Sequence, residues 1–154
     1  METKTMTGTS GGTFSGLGTQ QRLTKLDSAE CIRLISPGGV GRVLLVGADG
    51  PEALPVNFVV IGGAVLFRTT PGGVLARLTG RRVGFEVDRI DAPMVSGWSV
   101  LLRGVVSRVT DRALAARVRE AVRPWAGGSR DTCLRIEADR IEGRRVGPGE
   151  EHRR

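Results

Sequence analysis

Between Arg42 and Thr69 the chain reads RVLLVGADGPEALPVNFVVIGGAVLFRT, and this stretch decides the fold. Arg42-Val-Leu-Leu-Val46 is a short apolar run, and Ala48-Asp-Gly-Pro51 behind it carries the Asp-Gly pair of a tight hairpin turn. Ala53 to Val60 then reads as a second strand, Ile61-Gly-Gly63 as a second turn, and Ala64-Val-Leu-Phe-Arg-Thr69 as a third strand. Strands joined by turns this tight pair antiparallel, because a parallel pair needs a crossover of a dozen or more residues.

Working outward, Pro71-Gly-Gly73 opens a short helix over Val74 to Leu78, and Arg82 to Asp88 returns as a strand. A loop from Asp88 to Ser96 leads into the longest strand, Gly97 to Val109, in which Gly104 marks a bulge or bend. Asp111 caps a helix with Leu114, Val118 and Val122 on one side, and Pro124 stops it. Trp125-Ala-Gly-Gly128 is a loop, followed by strands at Thr132 to Ile136 and Ile141 to Val146. Upstream, Asp27 and Glu30 have capping-box spacing ahead of a helix carrying Cys31, Ile32, Leu34 and Ile35, and Ser36-Pro37-Gly38-Gly39 ends it. The class is mainly β with a few helices, a small barrel or sandwich. Residues 1–20, rich in threonine, glycine and serine, read as a disordered arm; 23–146 is the domain and 147–154 a charged tail.

Composition excludes whole classes of chemistry. The one histidine, His152, lies in the tail, and tyrosine is absent, so the core holds no Ser-His-Asp triad, Cys-His dyad or histidine metal site. Cys31 and Cys133 lack metal-type spacing and read as small buried hydrophobes. The net charge of +7 comes from arginines dispersed among acidic residues. Without a basic block or interleaved aromatics, it argues against a nucleic-acid partner. Leu54 to Phe67 is too short and too broken for a membrane helix, and no apolar segment follows Met1, so a cytoplasmic location is expected.

Three places suggest a ligand. Phe67-Arg-Thr-Thr-Pro-Gly-Gly73 offers a guanidinium, hydroxyls and loop amides, the donors a phosphate monoester takes; a solvated strand end is the plainer reading. Trp98, in Gly97-Trp-Ser-Val100, suits core packing or a wall for a planar ligand. Trp125, in Arg123-Pro-Trp125, is a loop tryptophan that needs a subunit or a cofactor to pack on.

These residues, in order with Val40-Gly-Arg-Val43, Pro55-Val-Asn-Phe58, Phe85-Glu-Val-Asp88 and Arg103-Gly104, make the chain resemble the pyridoxamine 5′-phosphate oxidase-like FMN-binding split barrels, among them actinobacterial flavin and deazaflavin oxidoreductases. The resemblance spans about Leu26 to Val146. It implies a six-stranded antiparallel Greek-key split barrel, a homodimer, and FMN or the deazaflavin F420 in a cleft between subunits, serving an oxidoreductase of unknown substrate. By motif match, Phe67, Arg68 and Thr69 with Gly73 and Val74 belong to the phosphate segment, Arg42 and Val43 border the cofactor, Asn57 faces the isoalloxazine, Ser99 meets the ring edge, and Trp98 and Trp125 are walls. Many relatives carry a lysine or arginine where this chain has Val74, so the phosphate clamp is one cation short, which also leaves room for a non-catalytic or cofactor-free protein. The histidine of the vitamin B6 oxidases is missing, and no side chain stands out as a catalytic acid or base.

Overall fold

The structure is a computed structural model that describes residues 21–125 and 127–148. In chain order the described residues form β1 (Gln21–Leu26), α1 (Ser28–Ile35), β2 (Gly39–Gly47), β3 (Gly50–Ile61), β4 (Ala64–Thr69), β5 (Arg82–Asp91), β6 (Ser96–Arg108), α2 (Arg112–Ala121) and β7 (Thr132–Pro148). All pairings are antiparallel, in the order β1-β7-β4-β3-β2-β5-β6, and β6 pairs again with β7. That last pairing closes β2 to β7 into a ring of six strands. β2, β3 and β4 form a meander, and the chain then crosses to set β5 beside β2, the Greek-key order β5-β2-β3-β4. The expected six-stranded Greek-key barrel is present, with β1 as a seventh strand.

Strand alternation fills the ring. Val43, Phe58, Phe67, Phe85, Val100, Leu102, Leu134 and Ile136 point inward and are buried. Phe85 sits edge-on to Phe58, with ring centroids 5.1 Å apart, and nearly parallel to Phe67 at 6.5 Å. Each such phenylalanine contributes about 2–3 kcal/mol by burial. α1 adds Cys31 and Ile35 to this core, and its N-terminus is capped by Asp27, whose Oδ1 accepts from the Glu30 N–H at 2.8 Å. The Glu30 carboxylate does not complete a capping box. It binds Arg33 at 2.6 Å and Arg145 of β7 at 2.9 Å, tying α1 to the barrel. α2 lies outside the ring and packs Ala115 and Val118, with Val122 just beyond its end, against Ala64 and Leu66 of β4 and Cys133 of β7. Both cysteines are free and buried, as expected.

Four expectations about elements change. β1 is a strand that its mixed sequence did not announce; it forms because the end of β7 offers it a backbone partner, from Gln21 opposite Pro148 to Leu26 opposite Gly143. The two strands expected at 132–136 and 141–146 are one, since β6 pairs with β7 from Leu134 to Val146 and carries the β-poor segment Glu137 to Arg140 with it. Gly104 does sit at a bulge, but the extra residue is Asp139 on β7, where the register steps from Gly104 opposite Ala138 to Arg103 opposite Arg140. The helix expected over 74–78 is only a 3₁₀ turn, Ala76–Leu78. The arm at 1–20 lies outside the described residues, while Gly147 and Pro148 of the expected tail extend β7.

The outer face of the ring carries ion pairs: Arg42 with Glu86 at 2.9 Å and Asp88 at 3.4 Å, and Glu142 with both Arg103 and Arg140 at 2.7 Å. Arg103 first, and Arg140 after it, hold the Glu142 carboxyl down at about 2, against an ordinary value of 4.5.

Two outcomes are expected. A Cβ at Gly104 would run into the Glu137 backbone carbonyl, whereas one at Gly147 meets nothing within 4 Å. Gly104→Ala should therefore cost about 3 kcal/mol in urea unfolding, and Gly147→Ala close to nothing. The depressed pKa of Glu142 means that its ion pairs contribute fully above pH 4.5 and are lost as pH falls through about 2. Between those limits the urea midpoint should fall less steeply in Glu142→Gln than in the natural chain, and 1 M salt, with a Debye length of about 3 Å, should shrink the difference.

Candidate functional site

Alternation that fills the barrel also sorts which side chains can reach a ligand. In β4, Val65 and Phe67 face inward, which turns Arg68 outward; in β3, Val56 and Phe58 face inward and Asn57 outward. Val40 of β2 lies directly opposite Asn57, and Arg68 is one step beyond the Phe58–Phe67 pair, so the three stand in one row across the outer face. Over this row comes the connection from α2 to β7, carrying Pro124, Trp125 and Arg130. Together they enclose a cleft of about 300 Å³ with Pro55 and Leu75 at its margins.

The cleft's polar groups are few. Arg68 donates from Nε to the Arg130 carbonyl at 3.0 Å and from Nη1 to the Val122 carbonyl at 3.1 Å, which leaves three of a guanidinium's five N–H groups for other acceptors. Asn57 Oδ1 accepts from the Trp125 backbone N–H at 3.3 Å, leaving the carboxamide NH₂ as a donor. The Trp125 indole is 85% exposed, an unusual place for the largest apolar side chain unless something packs on it. The site combines two guanidiniums, an amide donor, apolar walls and an indole. Such a set of groups can hold a planar anionic molecule, and none of the residues lining the cleft is suited to proton transfer.

Among the residues singled out from sequence, Asn57, Arg68 and Trp125 come together here. Val43, Phe67 and Thr69 have inward, buried side chains, so only their backbone could border a ligand. Arg42 is on the outer face but engaged with Glu86 and Asp88. Gly73 closes a turn through its N–H to the Thr70 carbonyl at 3.0 Å, and the side chain of Val74 beside it is 54% exposed. Trp98 and Ser99 are not in this cleft. Trp98 lines a second one of about 400 Å³, with Arg89 and Arg145 opposite it on the two neighbouring strands. Ser99 lines a third of about 270 Å³ with Glu86, Glu142 and Arg144. Within one chain the three clefts are separate.

Sequence reasoning missed Arg130. Nothing local marks it; the β4–β7 ladder ends at Thr69 opposite Thr132, two residues from Arg130, whose carbonyl the Arg68 side chain reaches. Also missed was a shallow apolar groove of about 550 Å³ on the outer face, lined by Leu44, Val46, Pro51, Ala53, Gly84 and Leu101 and edged by Arg82 and Arg103. Among the described residues, no group of three or more His, Cys, Asp or Glu is placed to hold a metal ion. The Cys31 thiol is pushed up by burial, so it is no nucleophile.

Comparison with known proteins agrees with this architecture. The uncharacterized Mycobacterium tuberculosis protein Rv0080 is 32% identical over 132 residues, covering 82% of this chain and 87% of its own length. The structure of an FAD binding protein from Mycobacterium smegmatis is similar at a TM-score of 0.64 and 31% identity, covering 80% of this chain and 98% of that one. A conserved protein of unknown function from Corynebacterium diphtheriae, DIP1874, matches at a TM-score of 0.64 and 31% identity, over 79% of this chain and 96% of that one. The family model described as pyridoxamine 5′-phosphate oxidase matches residues 27–145, from the cap of α1 to within three residues of the end of β7. With the closed ring and its outer-face cleft both inside that match, the chain belongs to the pyridoxamine 5′-phosphate oxidase family.

Proposed function

We propose that this protein binds a flavin, FMN in the first instance, in the cleft over Asn57 and Arg68, and acts as a flavin-dependent oxidoreductase. The observation that carries the reading is the convergence of Arg68, Arg130, Asn57 and Trp125 on one outer-face cleft. Its residues fit the group: the N–H donors that Arg68 keeps beyond its two backbone bonds suit a phosphate, the Arg130 guanidinium lines the same cleft, and Asn57 NH₂ suits an acceptor on a heteroaromatic edge. Trp125 and Leu75 supply surface that keeps water off the ring. A bound flavin supplies the electron chemistry, which agrees with a cleft that has no acid or base of its own. The FAD binding relative at 31% identity supports a flavin over other planar anions.

A second reading, F420, has one observation in its favour. Arg89 and Arg145 flank Trp98 at a neighbouring cleft, and a longer anionic tail could use them. Purified protein that is yellow and releases FMN on denaturation supports the first reading, and colourless protein that takes up F420 supports the second. Colourless protein that binds neither overturns both.

The working unit is read as a homodimer. The apolar groove around Leu44, Val46 and Leu101 lies on a sheet face that α1 and α2 leave bare, and a second copy is the simplest cover for it. Light scattering at micromolar concentration should show a dimer. Val46→Asp should give a folded monomer, because that side chain is 69% exposed and its loss costs the barrel little. A natural chain that is already monomeric would overturn this reading.

Phosphate recognition has its own test. Arg130→Gln should weaken FMN about tenfold and riboflavin hardly at all, since riboflavin has no phosphate to lose. Val74→Lys restores a cation beside the loop at an exposed position and should tighten FMN about fivefold, the worth of a surface ion pair near 1 kcal/mol, with no gain for riboflavin. Equal effects on the two ligands in fluorescence titrations would place the phosphate elsewhere.

A further inference from the structure

We infer that Asn57 and Arg68 are positioning residues that suspend the segment between α2 and β7, and with it the Trp125 wall, over the cleft. The inference takes from the flavin reading only the identity of the ligand; the suspension belongs to the chain alone. The segment has firm ends. Val122 is buried under α2 with its N–H on the Val118 carbonyl, and Thr132 is paired with Thr69, but the described residues between them form no helix or strand. A single guanidinium bridges the two ends, since Arg68 reaches the Val122 carbonyl with Nη1 and the Arg130 carbonyl with Nε. The planar fork makes both bonds from one rotamer, with the two donors held at a fixed angle.

Asn57 holds the middle. A backbone N–H can only donate, so the carboxamide oxygen must be the atom facing Trp125, and the NH₂ is left toward the cleft. The indole itself is almost wholly exposed, so packing does not fix its place; the backbone bond does. Gly127 and Gly128, the latter at φ +96°, make the following residues permissive, and without the tie this stretch would open locally. Ligand choice follows from the same atoms. A planar ligand that presents acceptors to the Asn57 NH₂ leaves the Trp125 tie intact and is covered by the indole. One that donates to the Asn57 oxygen competes with the tie and loses the wall.

The test is hydrogen–deuterium exchange, read by mass spectrometry on the full-length protein without ligand. In Asn57→Leu, amides of residues 123–131 should exchange about fivefold faster, the population change expected for losing one neutral hydrogen bond. Asn57→Asp keeps an acceptor and should stay close to the natural rate, while peptides from α1 and β6 stay unchanged in both. If Asn57→Leu loses β6 protection and so has not folded, Asn57→Ala takes its place with the same expected result. Equal rates in the natural chain and the Leu or Ala variant, or an Asp variant as fast as they are, would overturn the inference. Because no ligand is present, a chain that shows the expected pattern yet fails to bind flavin sinks the flavin reading and keeps this one.

Discussion

The pairing of β6 with β7 is the constraint on which the rest of this molecule depends. Without it the strands would form an open sheet with two free edges and an exposed row of phenylalanines. With it, Phe58, Phe67 and Phe85 are sealed inside a ring, and the backbone groups of both edges find partners. The ladder tolerates one extra residue, Asp139, by giving up a side chain at Gly104 and by offering the bulged carboxylate to Arg82, whose Nη2 reaches it at 2.7 Å.

Closure also builds the site. Between β6 and β7 the chain leaves the ring and returns beside β6, with Leu134 opposite Arg108, to take the place between β6 and β4. α2 makes that passage outside the barrel, with its apolar side on Ala64 and Leu66, and the segment after it has to cross the outer ends of β3 and β4 before β7 begins. The cleft is the space under that crossing. Arg68 and Asn57 line its floor because the strand period of two leaves them facing out between buried neighbours. The same period explains why Val43 and Phe67, one residue away from Arg42 and Arg68, belong to the core.

Arginine does several jobs here that a lysine would do less well. On the outer face Arg42 joins Glu86 and Asp88, and Arg103 and Arg140 share Glu142, so much of the formal positive charge is neutralised locally. In the cleft Arg68 braces two backbone carbonyls and still has donors to spare. A protein with no tyrosine and its one histidine in the tail thus meets its polar recognition needs with guanidinium and amide groups. That inventory suits binding and shielding a reactive cofactor better than carrying out proton transfer.

The sequence by itself determined what is decided within a few residues. The hairpin turns at Asp49-Gly50 and Gly62-Gly63, the caps Asp27 and Asp111 and the bulge at Gly104 all follow from local sterics and periodicity, and each was legible before any fold was known. Arg68 and Trp125 stood out by residue type and setting, and Asn57 through the resemblance to the family. Tertiary structure alone decided the pairings between distant segments. β1 exists because β7 has a vacant edge, β7 is continuous because β6 runs beside it from Leu134 to Val146, and Arg130 meets Arg68 because the chain enters β7 beside the end of β4. It also set Trp98 and Ser99 in clefts of their own. Register and closure are properties of strands far apart in the chain, and a free energy shared between two segments leaves no mark in either one read alone.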